Sequence, residues 1–313
     1  MFVPMIDFKD QVAIVSGAGR GLGRLYALDL ARRGAAVVVN DLGGSMAGDG
    51  ADRAVADEVA DTIRAAGGTA VASYDPVDTP EGGAAIVTTA TREFGRLDAV
   101  VSNAGIFHTA PFEELTTEGW RRMLRVHLDG AFHLSQPAYR VMKVQGGGRF
   151  VFVTSSAGLF GQPDSAHYAA AKAGTMGLAN VIAIEGAEHG ILANCVLPFG
   201  YSRMVWELIG DRDEVEPDPG FLHAIEPELV VPMVSFLASR ACELTHHNFS
   251  ACAGRFARAF VGLGDGWIAE TAAPTAEDIA AHLDQVAAPE PYTIPGSIFD
   301  EVFGVCDRLG IGA

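Results

Sequence analysis

Six short apolar runs, each followed by a longer stretch of helical character, constrain this chain more than any other feature. The runs cover residues 12–16, 36–40, 70–74, 97–102, 149–154 and 191–197. They are almost continuously apolar rather than alternating, as strands are when both faces of a sheet are covered. The segments between them, at 22–33, 52–66, 84–94, 117–144 and 165–189, are long enough to be crossover helices. Most stop at glycine: Gly34, Gly67, Gly95 and Gly146. This alternation predicts an α/β fold with a parallel sheet. Right-handed crossovers make the sheet doubly wound.

After residue 199 the rhythm breaks. The stretch 199–225 contains the acidic, proline-rich run DRDEVEPDPG and reads as a mobile loop; a helix over 227–238 and a last strand over 258–262 follow. Residues 1–264 are expected to form one domain, and 265–313 a C-terminal extension with two short helical patterns. Mean hydropathy is +0.21, yet no apolar run approaches the 18 residues or so of a membrane span. The first residues lack the basic flank of a signal peptide, so a cytoplasmic location is expected. A net charge of −17 disfavours nucleic acid, whose phosphates require a basic face. The four cysteines show no paired spacing. Cys242, His246, His247 and Cys252 lack the tight ligand pairs of a zinc motif, so no metal is expected.

Ser16-Gly17-Ala18-Gly19-Arg20-Gly21-Leu22-Gly23 joins the first strand to the first helix. Glycines there allow a tight turn and close approach to a pyrophosphate, and the helix N-terminus offers free N–H groups. The spacing departs from G-x-G-x-x-G because position 22 is Leu, but the strand–turn–helix context is that of a dinucleotide loop. Asp41 ends the second strand. A carboxylate there accepts ribose hydroxyls and repels a 2′-phosphate, which favours NAD over NADP. Arg20 is the opposing feature, since a loop arginine suits that phosphate. Asp75-Pro76-Val77, after the third strand, is placed to wall the adenine or to form a plain polar turn.

Tyr168 and Lys172 are four residues apart, on one face of a predicted helix. A tyrosine with a reference pKa near 10 is a poor base at neutral pH. A nearby ammonium favours the phenolate, and lowering the pKa by about three pH units takes about 4 kcal/mol. Ser155, at the tip of the fifth strand, offers a hydroxyl to a substrate oxygen. Ser156 is the alternative, and the thirteen-residue spacing to Tyr168 favours Ser155.

On these residues, together with Ser102-Asn103-Ala104-Gly105 and Tyr168-Ala-Ala-Ala-Lys172, the chain resembles the short-chain dehydrogenases/reductases over residues 8–262, with a Rossmann-type sheet. Within that family it is similar to the (3R)-hydroxyacyl-CoA dehydrogenase unit of peroxisomal multifunctional enzyme type 2 and its bacterial single-domain relatives. The segments VVVNDLGG, RVHLDGAF and TSSAGLFG carry that likeness. The resemblance implies Tyr168 as general acid/base, Lys172 on the nicotinamide ribose and Ser155 on the carbonyl. It further implies Gly17, Arg20, Gly21, Leu22, Gly23, Asp41, Asp75, Pro76, Val77, Asn103, Ala104, Gly105, Pro198 and Gly200 around NAD. His127 stands where the family has a catalytic Asn. It is read either as the anchor of a proton-relay water at a helix irregularity or as a satisfied interior histidine. Phe199 interrupts the usual Pro-Gly.

Phe199, Tyr201, Arg203, Met204 and Trp206 are candidate substrate contacts in the loop, suited to an acyl chain or steroid, with Arg203 for an anionic group. The leading expectation is an NAD-dependent oxidoreductase taking (3R)-3-hydroxyacyl-CoA to 3-oxoacyl-CoA, with a steroid side-chain thioester as a variant. The competitors are a steroid or terpenoid alcohol dehydrogenase without CoA, and a silent NAD-binding sensor or assembly subunit. Resemblance also implies a homotetramer or homodimer.

Overall fold

The computed structural model describes residues 5–200, 219–271 and 273–311. The chain divides into two compact units, Met1–Arg258 and Ala259–Ala313. The first is built on an eight-stranded sheet of order β3-β2-β1-β4-β5-β6-β7-β8. Its strands are β1 (Val12–Ser16), β2 (Ala36–Asn40), β3 (Thr69–Ser73), β4 (Ala99–Ser102), β5 (Gly148–Val153), β6 (Ile191–Phe199), β7 (His247–Cys252) and β8 (Arg255–Ala259). From β3 to β7 every pairing is parallel. Each parallel step is bridged by helices: α1 (Gly21–Arg32), α2 (Ala54–Ala65), α3 (Pro80–Phe94), α4 (Thr117–Leu124), α5 (Gly130–Gln145), α6 (Ala157–Phe160), α7 (Ala166–Gly186), α8 (Pro219–Ala224) and α9 (Val231–Ala238). Val37, Val39, Val101, Val151 and Val196 are fully buried in the core beneath them.

The registers decide where a ligand can sit. Ser16 pairs with Asn40 and Asn40 with Ser73, so β1, β2 and β3 end at one level. The order reverses at β1, whose neighbours are β2 and β4. Chains leaving β1 and β4 diverge to opposite faces and leave a crevice between them. Asn40, buried, bonds through Nδ2 to the carbonyl of Asp75 at 2.9 Å, which ties the tips of β2 and β3 together.

Three expectations are corrected. The last strand is not at 258–262: β7 and β8 form a hairpin across Ala253-Gly254, both with positive φ (52° and 72°), as a type I′ turn requires. The β7 sequence HNFSAC is only partly buried and half polar, so it lacks the apolar signature of the inner strands. The predicted 117–144 helix is interrupted by a π-helical turn, Arg125–Asp129, between α4 and α5. The 227–238 helix is a 3-10 turn, Pro227–Leu229, followed by α9. Among the described residues, no helix is long and apolar enough to cross a membrane.

The second unit contains an antiparallel pair, β9 (Leu263–Gly264) with β10 (Tyr292–Thr293), and the helices α10 (Ala276–Ala281), α11 (Leu283–Val286) and α12 (Ile298–Leu309). A capping box between Thr275 and Asp278 opens α10. The Trp267 and His282 rings stack at 4.1 Å.

Tyr26 in α1 is wholly buried, and its hydroxyl has no hydrogen-bond partner among the described residues. A buried, unpaired hydroxyl costs about 1–3 kcal/mol. Tyr26→Phe is therefore expected to stabilise the protein, by about 1 kcal/mol, in chemical denaturation. A loss of stability would show that the hydroxyl is satisfied.

Candidate functional site

A cleft of about 1050 Å³ opens at the carboxyl ends of the parallel strands. Every sequence-predicted catalytic and cofactor residue lines it, from Gly17, Arg20, Gly21, Leu22 and Gly23 through Asp41 and Asp75-Pro76-Val77 to Asn103-Ala104-Gly105, His127, Ser155, Tyr168, Lys172, Pro198 and Gly200. Phe199 lines it too. Tyr201, Arg203, Met204 and Trp206 lie outside the described residues. Among the described residues, no three His, Cys, Asp or Glu side chains converge as a metal would require.

At one end the glycines meet close steric demands. A Cβ on Gly23 would fall 2.0 Å from the Gly17 carbonyl oxygen, and one on Gly17 would fall 2.8 Å from Cα of Ala104. Gly21, at φ 52°, has open space where a Cβ would be. Arg20 precedes α1 without a side-chain cap, and the first turn of α1 has no acidic residue, so its N–H groups are left for an anion. Asn103 closes the loop from β4: its Nδ2 donates to the carbonyls of Ser16 (3.0 Å) and Gly17 (3.1 Å). The Asp41 carboxylate accepts from the N–H groups of Gly19 (2.8 Å) and Gly43 (2.7 Å) and is held facing the cleft. This set of residues fits a dinucleotide: a tight glycine turn, free helical N–H groups and a fixed carboxylate at the tip of β2.

The sequence did not single out the segment after Asp41. Residues 44–49 reach across to the β4 exit and to α4. The Gly44 carbonyl accepts from Arg20 Nη1 (3.1 Å), the Met46 carbonyl accepts from the Phe107 N–H (3.0 Å), and Asp49 pairs with Arg122. Arg20 is thus engaged by this strap rather than held out toward a phosphate. Arg121 and Arg122 of α4, with Arg125 at the start of the π-helical turn, give the cleft a basic wall, and Arg125 pairs with Asp78 at 3.0 Å. The glycine-rich composition of the strap hides it; only its length between β2 and α2 signals it.

At the other end, α7 carries Tyr168 and Lys172, and β5 delivers Ser155. Ser155 Oγ accepts from the Ala157 N–H at 3.2 Å and is hydrogen-bonded to Tyr168. Ser156 does not line the cleft. Burial pushes the Tyr168 phenol up, and the bond with Ser155 opposes that. Lys172 is 6% exposed, with Nζ donating to the Val153 carbonyl at 2.7 Å and lying 5.6 Å from the Tyr168 ring centroid. Burial pulls its pKa down to about 8. Neighbouring Cys195 gives no counter-charge at neutral pH, because burial pushes its thiol up to about 12.

His127 lies in the π-helical turn and is buried. Its Nε2 is 2.7 Å from the Ile106 carbonyl, and its Nδ1 has no partner among the described residues. Burial and the Lys172 charge hold it well below the usual histidine range, so the ring is neutral. Gly105 is what admits it: a Cβ there would be 2.3 Å from His127 Cε1. The two rings Phe107 and His127 meet Tyr168 edge-on from 5.2 and 5.3 Å.

Residues 11–207 match the short chain dehydrogenase family. The chain belongs to that family. It is 41% identical over 282 residues to a Mycobacterium tuberculosis protein named as a short-chain type dehydrogenase/reductase, covering 90% of this chain and 96% of that one. It is 42% identical over 249 residues to peroxisomal multifunctional enzyme type 2 of Drosophila melanogaster, covering 80% of this chain but only 40% of the longer relative. The solved full-length structure of that fly enzyme superposes with a TM-score of 0.80 at 30% identity, over 97% of this chain and 50% of the other. Carveol dehydrogenase from Mycobacterium avium, solved in complex with NAD, gives 0.72 at 26% identity, over 80% of this chain and 99% of that one. As a member of the family, the chain is an oxidoreductase acting on CH–OH groups.

The Lys172 ammonium has a direct stability consequence. The native pKa lies below the unfolded value of 10.5, so between pH 8 and 10.5 the native state binds fewer protons and stability rises with pH. Below pH 8 the full burial cost applies, about 3 kcal/mol. Lys172→Met is expected to raise the Tm at pH 7, with the gain over the parent shrinking as pH climbs to 10. Thermal unfolding at matched pH checks this; a gap constant with pH would mean that the ammonium is well compensated.

Proposed function

We propose that this protein is an NAD-dependent dehydrogenase that interconverts a secondary alcohol and its ketone, with (3R)-3-hydroxyacyl-CoA and 3-oxoacyl-CoA as the pair it serves. The observation that carries this reading is the cleft itself. One end offers the glycine turn and Asp41, and the other gathers Ser155, Tyr168 and Lys172. NAD is the cofactor: the family and the NAD complex of the carveol dehydrogenase support it, as does the engagement of Arg20 by the Gly44 carbonyl. Bound at the glycine end, NAD supplies the hydride acceptor.

The chain's own residues handle the proton. Ser155 Oγ, oriented by the Ala157 N–H, bonds the substrate oxygen and places it against the Tyr168 hydroxyl. Tyr168 takes the hydroxyl proton as the carbonyl forms, and returns it in the reverse direction. Lys172 keeps a positive charge beside the phenol, so the phenolate that accepts the proton is less costly than burial alone would make it. A native pKa near 8 leaves the ammonium the major form at neutral pH. His127 stays neutral and fixes the Ile106 backbone, while the π-helical turn rearranges the backbone bonds beside it.

The thioester reading rests on the likeness to the fly enzyme and on Arg121, Arg122 and Arg125, which give a strongly acidic protein a local basic wall for an anionic carrier. Tyr168→Phe is expected to lower kcat by about 10³-fold or more while the NAD Kd stays within about threefold. Matched substrates, a 3-hydroxyacyl-CoA and the corresponding free alcohol, test the substrate class. The thioester is expected to show the higher kcat/KM, and the reverse order would replace it with a CoA-independent alcohol.

A further inference from the structure

Residues 103–111 leave β4 without helix or strand, yet they carry Phe107, which packs on the reacting phenol. Such a segment holds position only if something other than a ladder fixes it. Its contacts succeed one another along the chain. His127 bonds Ile106, Met46 bonds Phe107, and the Ala110 N–H donates to the Asp164 carbonyl at 2.8 Å. Between them, His108 Nε2 lies 3.0 Å from His167 Nε2, with ring centroids 4.4 Å apart at 76°.

His167 immediately precedes Tyr168 in α7 and is fully buried. Its Nδ1 has no partner among the described residues, so the contact with His108 is the polar link its ring makes. Neither imidazole lines the cleft. The pair therefore stands behind the lining of the cleft among the described residues. It forms a block of two consecutive residues from each segment, with Phe107 on Tyr168 and His108 on His167.

We propose that the His108–His167 hydrogen bond is a positioning device for Tyr168. It pins the β4 exit to the first turn of α7 and thereby holds the Phe107 edge against the phenol. The two imidazoles share one N–H···N bond, one ring donating and the other accepting. Removing the His108 ring leaves buried His167 with an unpaired nitrogen, and removing either ring releases the segment. A misplaced general acid/base loses rate out of proportion to binding.

This inference rests on Tyr168 being the acid/base of the proposed reaction, so Tyr168→Phe is measured alongside. Normal turnover in that variant would overturn the proposed function itself, and with it the role of the pair. With Tyr168→Phe inactive, His167→Phe is expected to lower kcat by about tenfold or more, with KM for the alcohol and the NAD Kd within about threefold. His167→Gln, which restores a side-chain donor and acceptor, is expected to recover most of the loss. His108→Ala, at a partly exposed position that does not threaten folding, is expected to give the same kcat defect. In the double variant His108→Ala/His167→Phe, the loss is expected to match the single variants instead of multiplying. The proposal fails if His167→Gln is no better than His167→Phe at equal Tm. It fails equally if the two losses multiply, or if His108→Ala leaves kcat unchanged.

Discussion

The shared level at which β1, β2 and β3 end, together with the reversal of strand order at β1, is the constraint on which the site depends. Parallel pairing from Ser16 to Asn40 to Ser73 brings Gly17, Asp41 and Asp75 to one edge. Val15 pairs with Val101 across the reversal, which brings Asn103 to the same edge. Asn103 then donates to two carbonyls of the glycine turn, and that turn has no space for a side chain at positions 17 and 23. A one-residue slip of β1 against β4 would separate these groups and also turn the strand's buried valines to the opposite face.

The sheet's interior was legible because burial on both faces forces an apolar code: all six inner runs are strands, and the ends of β1 and β2 match the sequence reading residue for residue. The glycine loop, Asp41 and the Tyr168–Lys172 pair were legible because their chemistry dictates both residue type and spacing. The edge strands were not. HNFSAC in β7 is partly solvated and free to be polar, so its strand character comes from pairing with β6 rather than from its own pattern. The π-helical turn was also hidden, since one extra residue in a helix leaves the apolar periodicity almost intact. The strap of residues 44–49 is held largely through backbone carbonyls, which any side chain supplies. The His108–His167 pair joins residues 59 positions apart, beyond the reach of local spacing.

The reacting end concentrates groups that the rest of the fold would be more stable without. Lys172 is an ammonium with one backbone carbonyl as partner and a protonated thiol as neighbour. His127 and His167 each leave a buried ring nitrogen unpaired among the described residues. These costs are of the kind that persist where function requires them. The same burial that raises the Tyr168 phenol also strengthens every charge interaction near it, because a low-dielectric site screens little. The apolar ring of Phe107 and the neutral ring of His127 pack on the Tyr168 phenol without adding a charge that competes with the Lys172 ammonium.

Charge is distributed to the same end. The chain as a whole carries −17, but the cleft wall formed by α4 and the start of the π-helical turn presents Arg121, Arg122 and Arg125. Two of these are spent on structure: Arg122 holds Asp49 of the strap and Arg125 holds Asp78 beyond β3. Each pair is partly exposed and individually weak. Together they tie α4 and the start of the π-helical turn to the two loops that flank Asp41 and Asp75. The position of His127 follows from that, because the turn that carries it begins at Arg125. Asp49 and Asp78 thus brace the basic segment whose π-helical turn presents His127 to Ile106 and Tyr168.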